Sequence, residues 1–328
     1  MKDAGQTTLD VGIEAVLSAA RLTEAVRGAM VRGETADKLS KEDRSPVTVA
    51  DFGAQALVCR RLSQSFPQAR IVAEEDSVAL RRDEHAAQLE AVVAFVGEQV
   101  RDASADSVCD WIDLGNGEPQ GQYWVLDPID GTKGFLRNDQ YAIALALIVE
   151  GVVRYGFLAC PVLPRAGGAG ALFVAERGAG SKSYAMDGAL LGPVRVSDIR
   201  SPADACLAES VESAHTNLGL SARLKDKLGI GGESVRMDSQ AKYAAVARGQ
   251  AEIYLRAPNP RTPDYRENIW DHAAGWLVVA EAGGQVTDVY GRALDWSHGR
   301  RLEQNVGVVA TNGHLHNTIL DALAPLLA

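Results

Sequence analysis

Asp127 and Asp130 stand three residues apart around Pro128, with Gly131 and the hydroxyl of Thr132 directly after them. Carboxylates held that close repel each other unless a proton or a cation lies between them. Hard oxygen ligands in ones and twos suit Mg²⁺, which keeps positions open for water and substrate phosphate. A calcium loop fails on spacing. Counted from Asp127, its third, fifth and twelfth positions would be Ile129, Gly131 and Asn138, the last in place of Glu. Asp-Pro and Asp-Gly are also ordinary turn dipeptides, so the chemistry needs further groups. Two acidic clusters elsewhere supply them. Glu74, Glu75 and Asp76 close the apolar run Ile71, Val72, Ala73, and Asp271 lies between Trp270 and His272. Taken alone, the first reads as a solvated loop and the second as a carboxylate complementing a helix dipole.

Each of these groups needs an element to aim it. Trp124, Val125 and Leu126 read as the end of a strand, halted by Pro128, which lacks an N–H. Gly131 then permits a sharp turn. Ile71 to Ala73 reads as a second short strand. Trp270, Ala274, Leu277 and Val278 recur at helical spacing before the Gly283-Gly284 stop, which places Asp271 in the first turn of a helix. Leu9, Ile13, Val16, Leu17 and Ala20 mark an amphipathic opening helix. A second helix is expected from Thr48 to Phe66, with Asp51 in a capping-box position, and a third over 85–100. Strands are expected over 142–150, 152–158, 172–176 and 194–196. Beyond Ser201, helices alternate with short strands at 251–255, 285–288 and 306–311. The glycine-rich stretch from Arg165 to Ala171 has no Lys-Ser/Thr pair after it and reads as a hairpin turn, not a phosphate loop.

Composition sets wider bounds. The 328 residues can bury a substantial core, and 46% hydrophobic with 23% charged content is that of an ordinary globular chain. A formal net charge of −10 argues against a nucleic-acid partner, because phosphate contacts need a basic surface. An anionic substrate then requires local cations, which bound metal and a few Lys and Arg can supply. Cys59, Cys109, Cys160 and Cys206 form no Cys-x-x-Cys pair, which argues against structural zinc and fits reduced thiols in a cytoplasmic protein. The longest apolar run, Ala142 to Val149, is too short to span a membrane, and the N-terminus has no signal-peptide core.

The motifs together resemble those of the inositol monophosphatase superfamily, Mg²⁺-dependent and lithium-sensitive phosphatases. The resemblance rests on Asp127 to Thr132, on Trp270 to Gly275 and on Glu74-Glu75, and it covers about Ser45 to Asp288. The chain is more closely similar to the 3′(2′),5′-bisphosphate nucleotidase branch. Ser45 to Asp51, Asp130 to Arg137 with its Lys133, Cys160-Pro161, Asp238 to Tyr243 and Tyr254 to Arg256 carry that similarity. No metal ligand departs from the pattern.

The resemblance implies a layered α/β (α+β) sandwich of the sugar-phosphatase type. An antiparallel-sheet subdomain, 1–200, would hold most metal ligands. A mixed-sheet subdomain, 201–328, would hold Asp271 and the nucleotide contacts. It implies that Glu74, Asp127 and the Ile129 carbonyl hold one Mg²⁺, that Asp127, Asp130 and Asp271 hold a second, and it leaves room for a third, weaker one near Glu74. Gly131 and Thr132 would offer N–H groups to phosphate oxygens. Asp51 and Thr132 would deprotonate the attacking water, with capping as a parallel role for Asp51. His215, Ser239, Lys242 and Arg256 would contact the nucleotide, and Lys133 is a further candidate. The implied activity is hydrolysis of the 3′-phosphate of adenosine 3′,5′-bisphosphate to AMP and phosphate, with 3′-phosphoadenylyl sulfate as a further candidate substrate. The alternatives are an inositol (poly)phosphate or other sugar phosphatase, and an inactive metal- or nucleotide-binding regulator. The implied partner is a small phosphate ester, with no nucleic acid and no membrane. Oligomeric state, the degree of lithium sensitivity and any redox role of the cysteines stay open.

Overall fold

The computed structural model of the protein describes residues 4–31, 49–211, 218–258, 262 and 264–327. The expected helix start at Thr48, the rest of the Ser45–Thr48 stretch and His215 lie outside the described residues.

Helices α1 (Ala4–Val31) and α2 (Val49–Ser65) open the chain and pack on each other. A seven-stranded sheet follows, built from β1 (Arg70–Ala73), β2 (Gln122–Asp130), β3 (Ala142–Val149), β4 (Val152–Arg165), β5 (Gly168–Glu176), β6 (Gly180–Tyr184) and β7 (Leu190–Pro193) in chain order. The expected antiparallel pairing holds for every neighbour but the first, since β1 and β2 are parallel. Parallel neighbours need a crossover, and helices α3 (Ala86–Gly97) and α4 (Ala105–Asp113) provide it. The sequence reading missed α4. Its start is a capping box made by two serines, with Ser104 accepting from the Ser107 N–H and the Ser107 hydroxyl accepting from the Ser104 N–H. β3 is apolar without interruption and buried along nearly its whole length, as a central strand covered on both faces must be.

Two strands run further than expected. β2 does not halt at Leu126. Asp127 pairs with Ala144 and Asp130 with Ala142, so three steps along β2 match two along β3. The extra residue is a bulge, and Pro128, with no N–H to donate, falls inside it. β4 likewise continues past Pro161 to Arg165, with a register shift between Cys160 and Pro164, and closes on β5 through the expected hairpin, where Arg165 faces Gly168. The strand expected over 194–196 instead ends at Pro193.

A short helix α5 (Thr132–Leu136) follows the bulge. A second, five-stranded sheet has the order β11-β12-β10-β8-β9, formed by β8 (Leu207–Glu209), β9 (Val235–Arg236), β10 (Ile253–Arg256), β11 (Gln285–Thr287) and β12 (Val308–Thr311). It is mixed: β8 lies parallel to β9 and β10, and β12 lies antiparallel to β10 and β11. Helices α6 (Leu218–Leu228), α7 (Ala241–Ala247), α8 (Ala273–Glu281) and α9 (His316–Leu327) complete the chain.

The buried side chains sort into layers. Trp124, Leu126, Leu145 and Phe157 face the opening helices. Val125, Ala144, Ala146 and Phe173 face α7 and α8, whose far side meets Tyr254, Val308 and Ala310 of the second sheet. Leu207, Ile253 and Leu255 close on α6 and α9. The order is helix, sheet, helix, sheet, helix. A helix pressed between two sheets must be apolar nearly all round, and α8 is so up to Glu281 at its end. A Cβ on Gly275 would come within 2.3 Å of the Tyr243 ring, so glycine lets α7 and α8 approach. Among the described residues no helix is long and apolar enough to cross a membrane.

Candidate active site

Side chains alternate along a strand, so residues three apart normally point to opposite faces. The β2 bulge cancels that. Ala144 and Ala142 are two apart, so their partners Asp127 and Asp130 share one face, the one turned toward α7 and α8. Gly131, at φ 86°, then turns the chain into α5. A Cβ there would stand 2.9 Å from that of Ser239 and in a strained conformation, so the turn requires glycine twice over.

A cavity of about 310 Å³ opens where these groups converge. Glu74, Asp127, Asp130 and Asp271 line it, as do Ile129, Gly131 and Thr132. Lys133, Ser239, Lys242 and Arg256 line it too. The side chain of Ile129 belongs to the helix-facing core, so what it presents to the cavity is backbone. Asp51 sits behind the wall in the first turn of α2, buried, and accepts the Thr132 hydroxyl at 3.4 Å, while the Ile129 carbonyl accepts it at 3.2 Å. Asp271 departs from expectation by a short step. It lies in the turn before α8, whose N-cap is His272, and not in the helix's first turn. α5 has only five residues, so it brings local N–H groups and little dipole.

The carboxylates crowd one another. Burial pushes Asp127 well above the usual carboxylate range, and the charges of Glu74, Asp130 and Asp271 push it further. Asp271 is raised by burial and by Asp130 and Glu74, against the pull of Arg256. Asp130 is raised by burial, although Lys242, Arg256 and the Gln240 N–H draw it back. Glu74 keeps solvent contact at the cleft, yet desolvation there and the neighbouring Glu75 charge push it up to about 8. One oxygen of Asp127, Oδ1, is buried with no hydrogen-bond partner. A divalent cation relieves the repulsion and satisfies that oxygen at once. The donors are all carboxylate or carbonyl oxygens, the set that suits Mg²⁺.

Glu267, Asp271 and His272 also bring ligand atoms within 4.8 Å of one another. They do not make a separate metal centre, because the facing atoms of Glu267 and His272 are already engaged. Tyr243 Oη lies 2.7 Å from His272 Nδ1, Glu267 Oε2 lies 3.3 Å from His272 Nε2, and Arg256 Nε lies 2.8 Å from the same Glu267 oxygen. Burial opposes ionisation of Glu267, but Arg256 and His272 outweigh it and hold the carboxyl at about 2. This is an ion-pair network under the floor of the cavity. Lys242 is buried, lies 5.3 Å from the Tyr254 ring centre and has Met237 O at 3.4 Å. Desolvation lowers it to about 8 against the pull of Asp130.

Several positioning groups escaped sequence reasoning. Gln55 of α2 donates to Glu75 O at 2.6 Å and accepts from Glu75 N at 3.1 Å, pinning the loop that carries Glu74. Gln240 donates its backbone N–H to Asp130 at 2.5 Å, and its side chain donates to Trp270 O at 2.8 Å, joining Asp130 to the Asp271 turn. Arg137 pairs with Asp238, which also accepts from Val211 N at 3.2 Å. The one advance signal was that Gln240, Asp238 and Arg137 lie inside the motif stretches; Gln55 had none.

The model of the inositol monophosphatase family matches residues 8–327. A 3′(2′),5′-bisphosphate nucleotidase of Oryza sativa is 45% identical, over 94% of this chain and 91% of that protein. A protein of the same name from Schizosaccharomyces pombe is 40% identical, over 96% of this chain and 94% of that one. The solved inositol monophosphatase of Anabaena (Nostoc) sp. superposes with a TM-score of 0.64, covering 98% of this chain and 96% of that one at 21% identity, a likeness of fold alone.

Proposed function

Since the chain belongs to the inositol monophosphatase family, whose members are metal-dependent phosphatases, we propose that it hydrolyses the 3′-phosphate of adenosine 3′,5′-bisphosphate to AMP and phosphate with Mg²⁺. The observation that carries this reading is one cavity lined by four crowded carboxylates and also by Lys242 and Arg256. Glu74, Asp127, Asp130, Asp271 and the Ile129 carbonyl would hold two Mg²⁺, with a third near Glu74. Bound there, the ions would lower the pKa of a water and stabilise charge on the leaving oxygen, a large part of the roughly 20 kcal/mol that monoester hydrolysis demands.

The rest falls to the chain itself. Asp51 takes the hydrogen bond of Thr132, which leaves the hydroxyl's lone pairs to accept a proton from water and pass its own to Asp51. Gly131 and Thr132 present N–H groups to the phosphate. Ser239, Lys242, Arg256 and His215 contact the nucleotide, with Lys133 in reserve and a cation beside the 5′-phosphate. The names of the relatives from Oryza sativa and Schizosaccharomyces pombe support the nucleotide over a sugar phosphate. We read the two sheets as two subdomains meeting near residue 200, and the four free cysteines, three of them buried, as fitting the cytoplasm. The test is phosphate release from adenosine 3′,5′-bisphosphate and from inositol 1-phosphate, with and without Mg²⁺. The bisphosphate is expected to be strongly preferred and wholly Mg²⁺-dependent. Preference for inositol 1-phosphate overturns the substrate, and equal turnover without metal overturns the mechanism.

A further inference from the structure

Arg300 belongs to no motif, yet it touches the segments on both sides of the metal site. Residues 300–302 run alongside 267–269: Ile269 N donates to Arg300 O at 3.1 Å, Leu302 N donates to Glu267 O at 2.9 Å, and Asn268 bridges to Arg301. The backbone of Arg300 is thereby fixed to the stretch that leads into Asp271. Its guanidinium lies 5.1 Å from the centre of the Trp270 ring, the residue before Asp271. The same guanidinium reaches across to the other segment. Nη2 donates to Ala73 O at 2.5 Å and Nη1 approaches Gly117 O at 3.4 Å. Ala73 ends β1, and the next residue is Glu74. The peptide that leads into Glu74 and the indole beside Asp271 thus meet on one half-buried guanidinium, whose backbone is paired with the 267–269 stretch.

We infer that Arg300 is a positioning residue that sets the separation between Glu74 and Asp271 and so tunes the affinity of the site for divalent cations; this rests on the reading of those two carboxylates as ligands. A flat, forked donor suits the task, because it stacks on an indole and hydrogen-bonds two carbonyls in one plane, which an ammonium cannot do. Loss of a group that orients ligands from behind typically costs about ten- to hundredfold in metal affinity.

The experiment titrates metal-free protein with Mg²⁺ by calorimetry, well below the melting temperature, for the wild type, Arg300→Gln and the neighbouring Arg301→Ala. Arg300→Gln is expected to weaken Mg²⁺ binding by about ten- to hundredfold, with Arg301→Ala unchanged. A mere structural brace lowers the melting temperature and leaves Mg²⁺ affinity alone, and that result in folded Arg300→Gln overturns the inference. Should Arg300→Gln not fold, Arg300→Lys takes its place, and wild-type affinity there overturns it equally. Absence of Mg²⁺ binding by the wild type overturns the metal reading itself, and this proposal with it.

Discussion

The two sets of charges in the cavity are kept in opposite states. Asp127 crowds against Glu74, Asp130 and Asp271, and its buried Oδ1 has no partner. Arg256 lies on Glu267, and the charges of Asp130 and Asp238 pull against the burial that lowers Lys242. On the proposed reading the carboxylates wait for a cation from solution, whereas Arg256 is held by its ion pair with Glu267 and Lys242, desolvated but drawn by Asp130, would receive a second phosphate. The first set is costly to the empty protein and useful only when metal binds. The second contributes to the fold whether or not substrate arrives. Substitutions in the two sets should therefore differ in kind.

Asp127→Asn tests the contrast most severely. Turnover at saturating Mg²⁺ is expected to fall by more than the roughly thousandfold upper end for loss of a single oxyanion donor. Thermal denaturation without metal should show no loss of stability, because an amide cannot repel the neighbouring carboxylates. Activity near that of the wild type would remove Asp127 from the metal site. Next comes the water-activating pair. Thr132→Ala should cost about a hundredfold in kcat with KM little changed, Thr132→Ser should keep most of the rate, and Asp51→Asn should follow the alanine variant. If Asp51→Asn costs only the ~0.5–2 kcal/mol of a helix cap, its role is capping.

On the matched side the sign reverses. Arg256→Ala leaves buried Glu267 with His272 alone as its ion-pair partner and should destabilise by up to about 3–5 kcal/mol, with most of that restored when Glu267→Gln is added. Lys242→Met should lower catalytic efficiency on the bisphosphate about ten- to hundredfold, a lost charge-assisted contact, and spare inositol 1-phosphate. An unchanged ratio between the two substrates would take Lys242 out of the nucleotide pocket. The smallest effect is on pH. Glu74 and Glu75 are both raised to about 8, mainly by burial. Between the ordinary Glu range and that value the native state holds more protons than the unfolded one, so metal-free stability should fall as pH rises through about 8. Melting curves with saturating Mg²⁺ should lose the Glu74 share of that slope.

What the sequence made legible follows the same division. Glu74, Asp127, Asp130, Thr132 and Asp271 each have an ordinary local use when taken alone and stood out as a set only through the resemblance; all line one cavity. The layered architecture was legible through the resemblance; the parallel β1–β2 pair was not, because α4 starts from a serine pair in place of the usual Ser and Glu. Pro128 was read as a strand stop, yet the strand absorbs it in a bulge, and that bulge is what turns Asp127 and Asp130 to one side. Gln55 and Arg300 reach backbone carbonyls of segments distant in sequence, and Glu267 pairs with Arg256 and His272 at no helical or strand spacing. Such contacts leave no periodicity or spacing to read.

Whether the crowded carboxylates keep a place for divalent cations, as proposed, is tested most directly by the proton count on Mg²⁺ binding. Calorimetric titration of metal-free protein near neutral pH, repeated in buffers of different ionisation enthalpy, gives that count. Carboxyls held above their usual range must shed protons as the cation arrives. Wild-type protein is expected to bind Mg²⁺ with net proton release that diminishes in Asp127→Asn. Mg²⁺ binding with no proton release, or no binding at all, would contradict the account.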